Sequence, residues 1–145
     1  MPTDRSIPPR RALPRIPDRR RSRGRLGEGL AGAYLQQLGF SILERNARTR
    51  YGEIDVIGFD GRTLVFAEVK TRRARTSAPT RHPPDESLSW FRARQQAHMR
   101  RLAVAWLADP LRRHPSARTI RFDAIAVRVD AGDRLLELTH VEAVG

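Results

Sequence analysis

Apolar and polar positions along the chain alternate between two periods. In residues 26–38, Leu26, Leu30, Tyr34 and Leu38 recur every four residues, with Ala31 and Leu35 beside them. That is the spacing of one helical face, and Gly39 is a natural stop for it. Residues 40–45 then read as a strand with Phe40 and Ile42 on one face, and residues 46–50 as a polar connection. Residues 53–59 and 63–71 are two strand-like runs, and Asp60-Gly61 between them is a strong hairpin signal. Helical spacing returns over residues 88–108, where Leu88, Phe91, Met99, Leu102 and Trp106 share a stripe that ends at Asp109-Pro110. Residues 119–129 and 134–141 read as two more strands joined through residues 130–133. The predicted order is helix, three strands, helix, two strands. It specifies an α/β domain with a mixed central sheet flanked by helices.

The central hairpin carries charges inside its apolar runs. Alternation puts Ile54 and Val56 on one face, with Glu53 and Asp55 on the other. In the next strand Val65, Ala67 and Val69 share a face, and Phe66, Glu68 and Lys70 share the opposite one. Asp55, Glu68 and Lys70 are thereby expected to converge. An unpaired ion in such a place costs on the order of several kcal/mol in desolvation, and two carboxylates also repel each other. A divalent cation removes both penalties. Mg²⁺ usually takes one or two protein carboxylates and fills its remaining positions with water and phosphate. A lysine beside it can orient or deprotonate a water, or hold developing negative charge. The plainer alternative is a charged ladder on a half-exposed sheet face.

Among 28 basic residues Lys70 is the only lysine. Arginine stays protonated, whereas lysine changes its pKa readily on burial. The exception therefore falls at the position where different chemistry is wanted.

Asp55, twelve intervening residues and Glu68-Val69-Lys70 resemble the core of the PD-(D/E)XK nuclease superfamily. Within it the chain looks most like the YraN family of bacterial endonuclease-like proteins, related to archaeal Holliday junction resolvases. Gly27-Glu28, Ala31, Tyr34-Leu35, Gly39-Phe40, Arg45-Asn46, Arg48, residues 52–57 and residues 66–72 carry the likeness. Where the superfamily has proline before its first aspartate, this chain has Ile54. The resemblance implies a restriction-endonuclease-like sheet, a Mg²⁺ or Mn²⁺ site and hydrolysis of phosphodiesters in DNA, with branched or junction DNA as a candidate substrate. Asp55 and Glu68, with the carbonyl of Val69, would hold the metal and Lys70 would serve the attacking water. Kinship to resolvases suggests a homodimer. The alternative is a non-catalytic nucleic-acid-binding module on a nuclease-like fold, since a fold does not establish activity.

Other candidates stay open between two readings. Glu28, flanked by Gly27 and Gly29, either reaches the metal site or simply favours the positive end of its helix. The resemblance, which includes the Gly-Glu pair, favours the site. Glu53 is an outer partner of Asp55 or an edge charge that discourages sheet pairing. Gln95, in the middle of an apolar stripe, positions water or phosphate or bonds a backbone carbonyl. Arg45, Arg48 and Arg50 before the hairpin, and Arg72, Arg73 and Arg75 after it, line a nucleic-acid path or face solvent. Asp123 reads as structural and paired with an arginine. The four histidines lack the clustering of a zinc site and read as surface or packing residues.

Charge adds a second element. The net charge is +12, and residues 1–25 hold nine arginines, two aspartates and five prolines. Such a stretch cannot bury enough apolar surface to order itself. Residues 1–24 therefore read as a disordered tail, and residues 25–145 as one domain. Basic arms of this kind bind nucleic acid through counterion release, or are merely solvated. The basic stretch 71–87 reads as a loop that orders on the nucleic-acid backbone. The chain has no cysteine, which excludes disulfides and thiolate metal sites and suits a cytoplasmic protein. No apolar run approaches the roughly 18 residues of a membrane span.

Overall fold

The computed structural model of the protein describes residues 19–74 and 93–143. Within them lie α1 (Arg19–Gln37), β1 (Ser41–Thr49), β2 (Gly52–Phe59), β3 (Thr63–Arg73), α2 (Ala93–Ala108), β4 (Thr119–Val129) and β5 (Leu135–Ala143). The order is the one that the hydrophobic pattern predicts. The five strands form one mixed sheet in sequential order. β1, β2 and β3 pair antiparallel, β3 and β4 parallel, and β4 and β5 antiparallel. A parallel neighbour requires a crossover, and α2 lies in that connection.

The helices cover opposite faces of the sheet. Ala31 and Leu35 of α1 pack with Val56, Val65, Ala67, Ile125, Val127 and Val129. Met99, Leu102, Ala103 and Trp106 of α2 pack with Ala47, Ile54, Ile57, Leu64, Phe66 and Phe122. Each large side chain so buried stabilises the fold by roughly 1.5–3 kcal/mol. The hairpin turn is built as its residues demand. The Oδ1 of Asp60 accepts the backbone N–H groups of Arg62 at 2.9 Å and Thr63 at 2.7 Å, and Gly61 takes a φ of +98°.

Three expectations are corrected. Helix α1 begins at Arg19 rather than Leu26, so residues 19–24 are helical. Arginine is a good helix former, and extending an existing helix escapes the cost of nucleation. Residues 46–49 continue β1 instead of forming a connection, with Asn46 accommodating a φ of +51°. Ile54 and Val56 do not share a face: Ile54 packs under α2 and Val56 under α1. The start predicted for α2 at Leu88, and Arg75, lie outside the described residues.

Candidate functional site

The change of face occurs in two strands at one level. Arg45 pairs with Val56 and Ala47 pairs with Ile54. Val56 belongs to the α1 side, and the Arg45 guanidinium lies against Gly32 of α1. Ala47 and Ile54 belong to the α2 side. Between the two pairs stand Asn46, in the left-handed region, and Asp55. A side chain that would otherwise alternate into a core is thereby turned into the gap where β2 leaves β3.

That gap is real in the hydrogen bonding. The β2–β3 ladder runs from Phe59↔Leu64 only to Val56↔Ala67. Beyond it β3 stays paired with β4 through Arg73↔Val129, so β3 is held while β2 peels away. The N–H of Val69, just past the last ladder pair, donates to Oδ2 of Asp55 at 2.8 Å. Burial pushes the Asp55 carboxyl up to about 7, and the charges of Glu28, Glu68 and Glu53 push the same way, against the opposing bond from Val69. Burial likewise raises Glu68, opposed by Lys70 and by His98 on α2.

Glu28 approaches from α1. Its carboxyl is raised by burial, opposed by a hydrogen bond with the Asn46 side chain, and raised again by Glu53. Close packing sets its depth: a Cβ on Gly27 would stand 1.7 Å from the Thr71 Oγ1. Only glycine lets α1 lie this near β3. The Thr71 Oγ1 is itself buried and has no hydrogen-bond partner among the described residues. The structure thus brings Glu28, Glu53 and Glu68 within range of the Asp55 charge, with Val69 and Lys70 following Glu68 on β3.

The family model described as "Uncharacterised protein family UPF0102" matches residues 27–127. The chain belongs to the UPF0102 family. It is 43% identical over 126 residues to a UPF0102 protein of Mycobacterium tuberculosis, covering 84% of this chain and 91% of that one. A UPF0102 protein of Moorella thermoacetica is 40% identical over 116 residues, covering 80% and 88%. The UPF0102 assignment agrees with the YraN-like resemblance read from the sequence. It spans Glu28, Asp55, Glu68, Lys70 and Gln95 together.

Not every candidate of this UPF0102 chain gathers at the fork. Gln95 is half-buried on α2, one turn before Met99 on the stripe that continues through Leu102 and Trp106. Arg45 donates to the Glu28 carbonyl at 3.4 Å, on the α1 side. Arg48 and Arg50 are exposed at the β1–β2 turn, and Arg72 and Arg73 at the far end of β3, where Arg73 donates to the Ala131 carbonyl. Two contributors escape the sequence pattern. Asn46 is identified only by its polar reach and its tolerance of positive φ. His98, read above as a surface or packing residue, stands beside both Glu68 and Gly52; its one signal is its place one helical turn after Gln95.

Asp123 is structural. Fully buried, it accepts Arg121 Nε at 2.8 Å and Nη2 at 2.9 Å. Its Oδ2 lies 2.6 Å from His140 Nε2, and His140 Nδ1 lies 3.1 Å from the Tyr34 hydroxyl. With its Nε2–H donating to Asp123 and its Nδ1 accepting from the Tyr34 hydroxyl, His140 satisfies every member of this chain. Among the described residues no helix is long and apolar enough to cross a membrane.

Proposed function

We propose that the chain is a metal-dependent endonuclease that hydrolyses phosphodiester bonds in DNA, branched or junction DNA included. The observation that carries this is the Asp55 carboxyl, partly buried at the fork, bonded to the Val69 N–H at 2.8 Å and raised to about 7 among three other acids. Acids packed together at such a cost suit a cation. The donors are hard oxygens, which suits Mg²⁺ or Mn²⁺. Among the described residues no three His, Cys, Asp or Glu side chains group closely enough to hold an ion by themselves. Asp55, Glu68 and the Val69 carbonyl would leave the remaining positions to water and phosphate, the usual arrangement for Mg²⁺.

Bound there, the ion supplies Lewis-acid stabilisation of the phosphate oxygens and a more acidic water. The Asp55 hydrogen bond to Val69 fixes its carboxylate against β3. Lys70, the single lysine, orients the attacking water or holds charge that develops on the phosphate. Glu28, tied to Asn46, is placed to hold a proton near the same point. His98 approaches from α2.

Isothermal titration with Mg²⁺ and Mn²⁺ tests the proposal on wild type and on the Asp55→Asn, Glu68→Gln double variant. Binding in the wild type that disappears in the double variant is expected. Absence of binding, also with a non-cleavable DNA present, would turn the reading to a non-catalytic nucleic-acid-binding module.

A further inference from the structure

We infer that the groove between the β1–β2 turn and α2 receives an unpaired nucleotide of a single-stranded nucleic acid. Tyr51 is the base platform, and Arg48, Arg50 and Arg101 are the phosphate contacts. This rests on the nucleic-acid reading above and names the form of substrate that enters the site.

Tyr51 belongs to neither core. It is 43% exposed at the turn, with the Arg50 guanidinium 4.8 Å and that of Arg101 5.7 Å from its ring centroid. Both arginines are exposed, and among the described residues neither is ion-paired. Swinging one aside exchanges one cation–π contact for a base stacked on the ring and a phosphate on the guanidinium. Every base has a π face, so stacking tolerates any sequence. In a duplex those faces are already occupied by neighbouring bases. A solvent-facing aromatic between two arginines therefore favours an unpaired strand over a paired one.

The groove runs on from this point. Arg101, Ala105 and Ala108 recur at i, i+4 and i+7 and so lie on one stripe of α2, about 10 Å long at the helical rise. Ala105 and Ala108 line a hollow of about 400 Å³ together with Arg48, Thr49, Arg50, Asp109 and Arg112. Arg112 is spent as a brace, donating to Glu44 at 3.1 Å, Asp109 at 3.2 Å and the Arg48 carbonyl at 2.9 Å. The heads of Arg48 and Arg50 remain for phosphates.

On its other side the β1–β2 turn meets α2 at Leu102 and His98. Gly52 follows Tyr51 with a φ of +140°, and a Cβ there would stand 3.4 Å from Leu102 and 3.6 Å from His98 Nε2. The turn is therefore seated on α2 beside His98, the histidine that also neighbours Glu68. A strand held at Tyr51 is led toward the fork.

Fluorescence anisotropy tests this in EDTA on the Asp55→Asn background, so that neither metal nor cleavage enters the result. The probes are short DNA and RNA single strands of one sequence and the blunt DNA duplex, with 2-aminopurine strands as a stacking signal. Single strands should bind more tightly than the duplex. Tyr51→Ala should weaken them about tenfold or more and abolish the quenching of 2-aminopurine, while Tyr51→Phe should retain both. Arg101→Glu, on the outer surface of α2, should weaken them comparably and guards against a Tyr51 variant that folds poorly. The tighter of DNA and RNA identifies the sugar. Single-strand binding indifferent to both Tyr51→Ala and Arg101→Glu, or duplex binding equal to it, would overturn the inference. Loss of hydrolysis alone would leave it standing.

Discussion

The N–H of Val69 reaches the Asp55 side chain, at 2.8 Å, where a continuing ladder would have offered it a backbone carbonyl. One carboxylate thus ends a strand pairing and stands at the mouth of the resulting fork. Removing its charge separates these two jobs.

Asp55→Asn keeps an acceptor for Val69 and removes a titration. The folded protein holds the Asp55 proton up to about 7, well above the ordinary carboxylate range that applies to the unfolded chain. The native state therefore binds more protons between those limits, and this residue's contribution to stability falls as pH rises through them. Relative to wild type, the metal-free Asn variant should gain stability from about pH 4 to about pH 7, by an amount on the order of a few kcal/mol, and no further above. Parallel urea melts across that window measure the difference; a constant difference would refute the assigned burial.

Lys70→Ala should leave metal and DNA binding within about twofold and lower cleavage by about a hundredfold or more, the scale of a lost charge-stabilising or proton-transferring group. Single-turnover cleavage with saturating protein reads it. Cleavage at the wild-type rate would remove Lys70 from the reaction.

Alanine at Gly27 and at Gly29 should act in opposite directions. Both exchanges favour the helix by about 1 kcal/mol. A Cβ at Gly29 meets nothing within 4 Å, but one at Gly27 would collide with Thr71. Gly29→Ala should raise stability by about that amount. Gly27→Ala should lower it by roughly 1–3 kcal/mol and weaken metal binding, because α1 and Glu28 must move outward. Thermal melts and titration calorimetry give the two readouts.

Asp123→Ala should destabilise by about 3–5 kcal/mol, since it takes a partner from the buried His140 and leaves Arg121 held through the more exposed Glu142. Folded protein below its melting temperature should still bind metal with wild-type affinity. A change in that affinity would tie Asp123 to the site after all.

Much of the fold was legible because its signals are local. Asp60-Gly61 marked the hairpin, the Leu26–Leu30–Tyr34 spacing marked α1, and Met99, Leu102 and Trp106 marked the face of α2 that is buried. The grouping of Asp55 with Glu68 followed from strand pairing alone. What alternation could not give was the change of face at Asn46 and Asp55, because a strict period of two assumes an unbroken pleat. His98 was illegible for another reason. Its neighbours, Gly52 and Glu68, come from strands far away in sequence, and only the seating of α2 brings them together. The helical start at Arg19 was hidden by composition, since arginines carry no apolar stripe.

The crowding of Glu28, Glu53 and Glu68 around Asp55 also imposes an order of events on a chain whose net charge is +12. On the proposed reading its surface would draw a polyanion in, yet the point where a phosphodiester would finally rest is locally repulsive. The strand is welcome at the rim before it is welcome at the centre. If the proposed function holds, productive engagement would require the cation to arrive first or together with the strand, so binding should be ordered and the two ligands strongly cooperative, each scarcely able to hold the innermost position without the other.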